Sequence, residues 1–332
     1  MTTDRKKAHI ELALKSHAGF APADGRFYYE PLMAPHPAAV GMQGFPFMGR
    51  TLGLPLWVSS MTGGTPMAGE INRRLATVCR EFGMGMGLGS CRSILTDDTW
   101  LEHFALREAI GPDLPLYANL GINQLETIAQ ENKWNLIGGL IGKLEADGLI
   151  VHINPLQEFF QPEGDRLQHP PIDTINRLLD HFPEMKIIVK EVGQGMGPAS
   201  LKALLKLPLE AIEFGAFGGT NFSRLEAERQ SNQRVGWLMP LASVGHNALE
   251  MITMIDQIKA ETTIATRHLI VSGGIKDFLD GYYLVGKSPL PAIYGQASAF
   301  LSHARDGIDP LRQFVAAQAE GLRMAYAYLQ IK

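Results

Sequence analysis

Polar side chains crowd the end of one apolar run in this chain. Leu149 to Asn154, bounded by Gly148 and Pro155, reads as a short buried strand. Alternation along a strand puts His152 and Asn154 on one face and Val151 and Ile153 on the other. Gln157 and Glu158 then leave the strand end in a loop, with Gln161-Pro-Glu-Gly-Asp165 directly after them. Such a switch from Ile, Val and Leu to His, Asn, Gln and Glu builds a polar site on a hydrophobic frame; the plain alternative is a capped strand end with satisfied polar groups.

Two further features favour anions. Lys190 shares a strand face with Ile188 in Ile187-Ile-Val-Lys-Glu-Val192. Lysine is almost never fully buried without a partner, so Lys190 either forms an ion pair or faces an anionic cofactor. In the second case Glu191 points to the helix layer and needs a partner of its own. Ser272-Gly-Gly274 and Ala297-Ser298 supply the small residues that a backbone phosphate cradle requires, although Gly-Gly also makes ordinary turns. Thr62 and Thr220 could add hydroxyl donors. The N-terminal Arg5-Lys-Lys-Ala-His9 is basic; as a helix it places Arg5 and His9 one turn apart on one face with Lys6 beside them, and otherwise it is a solvated tail.

The elements that must position these groups alternate from about residue 51 onward. Strands are expected at Leu54–Ser60, Gly83–Gly89, Leu114–Leu120, Leu149–Asn154, Lys186–Val192, Ala211–Phe214, His268–Ser272 and Ala292–Tyr294, with helical patterns between them. Ile71, Leu75, Val78 and Phe82 have the spacing of one helix face. Eight strands each followed by a helix is the count for a (β/α)8 TIM barrel, the α/β class expected here. An open doubly wound sheet is the runner-up, but no early Gly-x-Gly-x-x-Gly lies between a strand and a helix. Polar or glycine-rich residues follow each apolar run, where a barrel builds its site. Residues 1–50 read as a helical N-terminal extension, 220–245 as an insertion or lid, and 1–332 as one domain.

Composition narrows the classes. The chain has 332 residues, 45% hydrophobic and 19% charged, with net charge −4, which gives no electrostatic case for nucleic acid or an anionic membrane. No apolar run is long enough to span a bilayer, and no apolar stretch follows the basic N-terminus as a secretory signal would require. Its 2 cysteines, Cys79 and Cys91, give neither a disulfide framework nor a metal pattern. A cytoplasmic enzyme is the default expectation.

Taken together, Arg5-Lys6 with His9, Ser60-Met-Thr-Gly-Gly64, Gly87-Leu-Gly-Ser90 with Arg92, Asn154-Pro-Leu-Gln-Glu158 with Gln161-Pro-Glu-Gly-Asp165, Val189-Lys-Glu-Val-Gly193, Gly218-Gly-Thr220 and Ser272-Gly-Gly-Ile275 resemble the type 2 isopentenyl-diphosphate isomerases. These are flavoenzymes of isoprenoid biosynthesis that interconvert isopentenyl and dimethylallyl diphosphate. The match runs from Arg5 to about Leu301. The resemblance implies a barrel holding reduced FMN, NADPH as the reductant, Mg²⁺, and a homo-oligomer, tetramer or octamer. It implies FMN contacts from Ser60, Met61, Thr62, Ser90, Asn119, Lys190 and Thr220, with the flavin phosphate on Gly273, Gly274, Ile275, Ala297 and Ser298. Arg5, Lys6, His9 and Arg92 would clamp the substrate diphosphate, and Glu158 would hold Mg²⁺ together with diphosphate oxygens. His152, Asn154 and Gln157 would line the alkene end, with Gln157 positioning substrate or relaying a proton. Lys190 near the flavin would favour its anionic reduced form.

Some positions depart from that pattern. The sixth strand and its turn read Glu213-Phe-Gly-Ala-Phe-Gly-Gly219, where the family usually has an acid, often Asp. An Ala297-Ser298 pair stands where Ala-Gly is usual, and Lys287-Ser-Pro-Leu-Pro291 is atypical. Two competing readings are an FMN-dependent α-hydroxy-acid oxidase or dehydrogenase, and a phosphate-binding barrel without catalysis. The first commonly carries Ser-Asn-His-Gly-x-Arg after a late strand, where this chain has Gly215-Ala-Phe-Gly-Gly-Thr220. The second need not keep Gln157, Glu158 and Lys190 together.

Overall fold

Short apolar runs bounded by glycine or proline form the wall of a closed barrel. A computed structural model describes residues 2–13, 15, 22–38, 44–230 and 233–332. The barrel strands are β1 Leu56–Val58, β2 Gly85–Gly87, β3 Leu116–Gly121, β4 Gly148–Ile153, β5 Lys186–Glu191, β6 Ala211–Glu213, β7 His268–Ser272 and β8 Ala292–Gln296. Each pairs in parallel with its neighbours in chain order, and Tyr294 opposite Leu56 closes β8 onto β1. Closure excludes the open doubly wound sheet. Strands covered on both faces need no polar alternation, which is why they read as continuous apolar runs. β1 and β2 are shorter than expected, three residues each.

The helix Pro66–Phe82 shows how the helix layer is fixed. Thr65 Oγ1 accepts from the Ala68 N–H at 3.2 Å, Pro66 opens the first turn, and Gly83 ends it in the left-handed region at φ 70°. Its buried face carries Ile71, Leu75, Val78 and Cys79. The Cys79 thiol is fully buried, and burial pushes its pKa up, as expected for a core thiol.

Among the described residues, the N-terminal extension is helical only at Thr2–Ala13. Phe27–Tyr29 pairs antiparallel with Leu329–Ile331, and Phe45–Phe47 forms a hairpin with Arg50–Leu52. Met48 and Gly49 turn that hairpin at φ 51° and 75°, the double positive φ of a tight two-residue turn. The hairpin seals the N-terminal end of the barrel: Phe47 and Met48 are buried, the Phe47 ring lies 4.8 Å from that of His268 at the start of β7, and Lys186 Nζ at the start of β5 donates to Met48 O at 3.3 Å. Residues 1, 14, 16–21 and 39–43 of the expected extension lie outside the described residues.

Asp147, just before β4, locks this end. It accepts from Arg50 Nη2 at 2.8 Å, Arg107 Nη2 at 2.7 Å and the Leu116 N–H at 2.9 Å. Burial raises its carboxyl pKa, but the Leu116 N–H, Arg107 and Arg50 outweigh burial and leave it below the usual aspartate range. A depressed native value means the contribution is present above the ordinary aspartate pKa and fades as pH falls through the lowered one. Asp147→Ala, which leaves both guanidinium groups without this carboxylate, is expected to cost about 2–4 kcal/mol at pH 7. The deficit should shrink as both forms are acidified past the native value. Urea unfolding at neutral and acid pH measures it; equal stability at neutral pH contradicts it.

Within 220–245, the described residues form the helices Phe222–Glu228 and Gln233–Leu238 and a 3-10 turn Met239–Ser243. Ala227, Val235 and Ala242 make a small apolar cluster with Phe160 of the helix Pro155–Phe160 that follows β4. Gln194 after β5 ties the segment down: its Nε2 donates to Val244 O at 2.6 Å and Leu241 O at 3.2 Å, and its Oε1 accepts from Ser223 Oγ at 2.7 Å. Among the described residues no helix is long and apolar enough to cross a membrane.

Candidate active site

Register places a polar row on the barrel interior. His152 of β4 lies opposite Lys190 of β5, and Lys190 opposite Glu213 of β6. Lys190 is 7% exposed, and its Nζ donates to Glu191 O at 2.8 Å. Glu213 is 0% exposed and neither carboxylate oxygen has a hydrogen-bond partner. It faces Ser59, Ser272 and Trp57 without closing a bond to any of them. Burial raises the Glu213 pKa, and the Lys190 charge opposes that rise. Glu191, on the opposite face of β5, has found its partners in the backbone. Its Oε2 accepts from the N–H groups of Gly193, Gln194 and Gly195 at 2.7, 2.6 and 2.9 Å. No sequence pattern announces that arrangement, because it depends on the chain folding back directly after the strand.

The row opens into a cavity of about 400 Å³ at the ends of β1 and β5 to β8. One side is built from the turns after β6 and β7. Gly218, Gly273 and Gly274 have φ of 117°, 91° and 74°. A Cβ on Gly273 would stand 2.1 Å from Ala216 O, and one on Gly219 2.9 Å from Gly274 N, so only glycine lets the two turns touch. The nine-residue helix Ser298–Asp306 starts at this wall, with Ala297, Ser298 and Ala299 lining it. Left-handed glycine turns beside a helix N-terminus present backbone N–H groups to an anion.

A second cluster sits over β3 and β4. His152 Nδ1 lies 2.9 Å from Asn119 Oδ1, while Asn119 Nδ2 donates to Leu88 O at 3.0 Å. Because Asn119 Oδ1 can only accept, Nδ1 of the imidazole carries the proton and Nε2 is left as an acceptor. Asn154 Nδ2 donates to Gln157 Oε1 at 3.2 Å and Glu158 Oε1 at 3.0 Å, and Glu158 Oε2 accepts from the Asp165 N–H at 3.0 Å. Arg92 is 3.5 Å from Asp165. Among the described residues no three His, Cys, Asp or Glu side chains converge as a metal site.

Burial first, then the Lys190 charge, lower the His152 pKa to about 3. The imidazole is therefore expected to stay neutral and Nδ1-protonated at pH 5 to 8. A depressed native value means the unfolded chain binds the extra proton between about pH 6.5 and 3, so this group makes stability fall as pH drops through that window. Nitrogen-15 NMR of labelled histidines reads the tautomer directly; an imidazolium at pH 6 contradicts it.

Of the residues singled out from the sequence, Ser60, Lys190, Thr220, Gly273, Gly274, Ile275, Ala297 and Ser298 come together around the cavity. Thr62 lines a neighbouring recess that shares Ser298. Met61 packs half-buried against the core, and Ser90 is exposed. Asn119, His152, Asn154, Gln157, Glu158 and Arg92 form the second cluster. Arg5, Lys6 and His9 are exposed on the N-terminal helix and do not reach the cavity lining. Sequence reasoning missed Glu213 and Gln296, which also line the cavity. Glu213 had a signal, an acid closing the apolar run Ala211-Ile-Glu213; Gln296 had none.

Comparison with known proteins follows the same lines. No family model matches the chain. An isopentenyl-diphosphate delta-isomerase of Rickettsia felis is 32% identical over 313 residues, covering 91% of this chain and 85% of the relative. The Rickettsia akari protein of the same name is 35% identical over 259 residues, covering 78% and 72%. Among solved structures, a flavocytochrome b2 variant with benzoylformate superposes with TM-score 0.62 at 11% identity over 92% of this chain and 76% of that one. A mandelate oxidase variant with a monooxide FMN adduct gives TM-score 0.54 at 12% identity over 92% and 88%. At such identities the structural likeness shows the fold alone. Identity sustained over most of both sequences shows more: the chain belongs to the isopentenyl-diphosphate delta-isomerase family.

Proposed function

We propose that this protein interconverts isopentenyl and dimethylallyl diphosphate with reduced FMN and Mg²⁺. The observation that carries the reading is the cavity at the ends of β1 and β5 to β8, with a glycine cradle on one wall and a buried lysine on another. Its chemistry fits FMN. The left-handed turns after β6 and β7, with the start of the helix Ser298–Asp306, suit a phosphate. The buried Ser59 and Ser60 hydroxyls and the Glu213 carboxylate have no partners and suit the hydroxyls and ring edge of a polar cofactor. Reduced and bound, FMN supplies an electron-rich ring that can hold and release a proton with no net oxidation.

The chain's own residues do the rest. An isolated alkene is a weak base, so the site must favour a short-lived cation and exclude water from it. Lys190 balances negative charge in the cavity. Neutral His152, held by Asn119, offers Nε2 as an acceptor, and Asn154 fixes Gln157 and Glu158 in one orientation. Glu158 suits Mg²⁺ as one ligand among diphosphate oxygens and waters, the manner in which Mg²⁺ commonly binds. Arg92 beside Asp165 adds a guanidinium for the diphosphate. Arg5, Lys6 and His9 on the N-terminal helix and the segment 220–245 act as covers over a single FMN-binding domain. The resemblance further supports NADPH as reductant and a cytoplasmic homo-oligomer.

After β6 the chain has Gly215-Ala-Phe-Gly-Gly-Thr220, without the His and Arg that a 2-hydroxy-acid oxidase commonly carries after a late strand as base and carboxylate-binding group, which disfavours that reading. Omission experiments test the reading. Product is expected only when FMN, a reductant and Mg²⁺ are all present. Oxygen uptake with 2-hydroxy acids and no isomerisation would overturn it.

A further inference from the structure

A chain of buried amides runs from the outer helix Ile308–Tyr328 to the glycine turn after β7. Gln318 is 4% exposed on the helix face that otherwise carries Leu311, Val315, Ala319, Leu322 and Ala325. An amide buried among apolar side chains is costly unless its groups are satisfied. Here they are. Tyr294 Oη donates to Gln318 Oε1 at 3.1 Å, Gln318 Nε2 donates to Gln296 Oε1 at 2.5 Å, and Gln296 Nε2 donates to Ile275 O at 3.2 Å. Gln296 is also 4% exposed and lines the cavity.

The polarity of this chain is fixed from its far end. Ile275 O can only accept, so the NH2 of Gln296 must face it. The oxygen of Gln296 then faces Gln318, whose NH2 must point that way, and the oxygen of Gln318 is left for the Tyr294 hydroxyl. Gln318 is the second anchor of the Gln296 amide: without its NH2 the Gln296 oxygen loses its donor, and the bond to Ile275 O alone holds the side chain. Held at one end only, the side chain can swing, and the Ile275 carbonyl loses a fixed donor. That carbonyl belongs to the turn Gly273-Gly274-Ile275, whose two glycines sit at positive φ against the turn after β6.

We infer that Gln318, acting through Gln296, is a positioning residue that aims the Gly273–Ile275 turn at the phosphate of the bound flavin. The inference rests on the FMN reading. Gln318 touches no ligand; it fixes the backbone that does. A merely space-filling Gln318 would affect all flavins alike, whereas a residue that aims the cradle affects only those carrying a phosphate.

The test compares dissociation constants for FMN and for riboflavin, which lacks the phosphate, by flavin fluorescence quenching on the full-length protein. For Gln318→Leu the FMN constant is expected to rise about tenfold, the loss of one or two buried hydrogen bonds, with riboflavin within about twofold of the original protein. Tyr294→Phe removes only the terminal hydroxyl and should shift the same ratio by about two- to threefold. It decides the matter if Gln318→Leu fails to fold. Variants that keep the original FMN-to-riboflavin ratio, or weaken both flavins equally, overturn the inference while leaving the FMN reading intact. An unmutated protein that binds both flavins equally removes the phosphate cradle itself, a failure of the underlying reading that is visible before any variant is made.

Discussion

Lys190→Ala should lower turnover by about 10²–10³-fold, the usual cost of losing a preorganised charge at a reacting centre. It should also weaken binding of reduced FMN more than of oxidised FMN, since the reduced ring is the one that bears a negative charge. Lys190 is buried, its ammonium donates to the neighbouring Glu191 carbonyl and, among the described residues, to no side chain, and it stands in register between His152 and Glu213. Removing it takes away the cation that, among the described residues, opposes the effect of burial on Glu213, so the Glu213 carboxyl pKa should rise further and the group hold its proton. Lys190→Arg should not restore activity, because a planar guanidinium cannot take the place of a compact ammonium at the same spot. Steady-state rates and flavin titrations in both redox states measure these effects. Unchanged turnover and equal affinities would remove Lys190 from the mechanism.

Gly273→Ala should abolish FMN binding, raising the dissociation constant at least about 100-fold. A Cβ there would lie 2.1 Å from Ala216 O and 2.3 Å from Ala216 N, both backbone atoms that cannot swing aside, at a φ of 91°. Strain at such a φ costs about 1–3 kcal/mol before the collision is counted. The turns after β6 and β7 must then part, and the cradle is made of both. Gly138→Ala is the control. It lies in the helix Asn135–Leu144, nothing stands within 4 Å of its Cβ position, and the change should stabilise by about 0.5–1 kcal/mol with FMN affinity unchanged. Flavin titration with thermal melting separates the two. Full FMN affinity in Gly273→Ala would show that the turn is not the cradle.

The barrel was legible because its strands are continuous apolar runs punctuated by glycine and proline, and those are local signals. All eight appear within a few residues of where Leu54–Ser60 through Ala292–Tyr294 placed them. The N-terminal hairpin was not legible. Its strands are three residues each, and Met48, an ordinary side chain, takes a positive φ that tertiary contacts with His268 and Lys186 hold in place. In the site, the glycine turns could be read from Gly-Gly after apolar runs. The pairing of His152 with Asn119, of Lys190 with Glu213, and of Gln318 with Gln296 could not, since each depends on register or on a helix packing across the wall. Glu213 was visible as an acid ending a strand, yet only its opposition to Lys190 gives it meaning.

Deuterium wash-in is the most direct measurement. The protein is reconstituted with FMN, reduced anaerobically, and given Mg²⁺ and isopentenyl diphosphate in D2O. Dimethylallyl diphosphate carrying deuterium in a methyl group is expected from the reduced holoenzyme and none from the oxidised one. A fully loaded, reduced holoenzyme that leaves the double bond in place and the substrate unlabelled would contradict the proposed reaction.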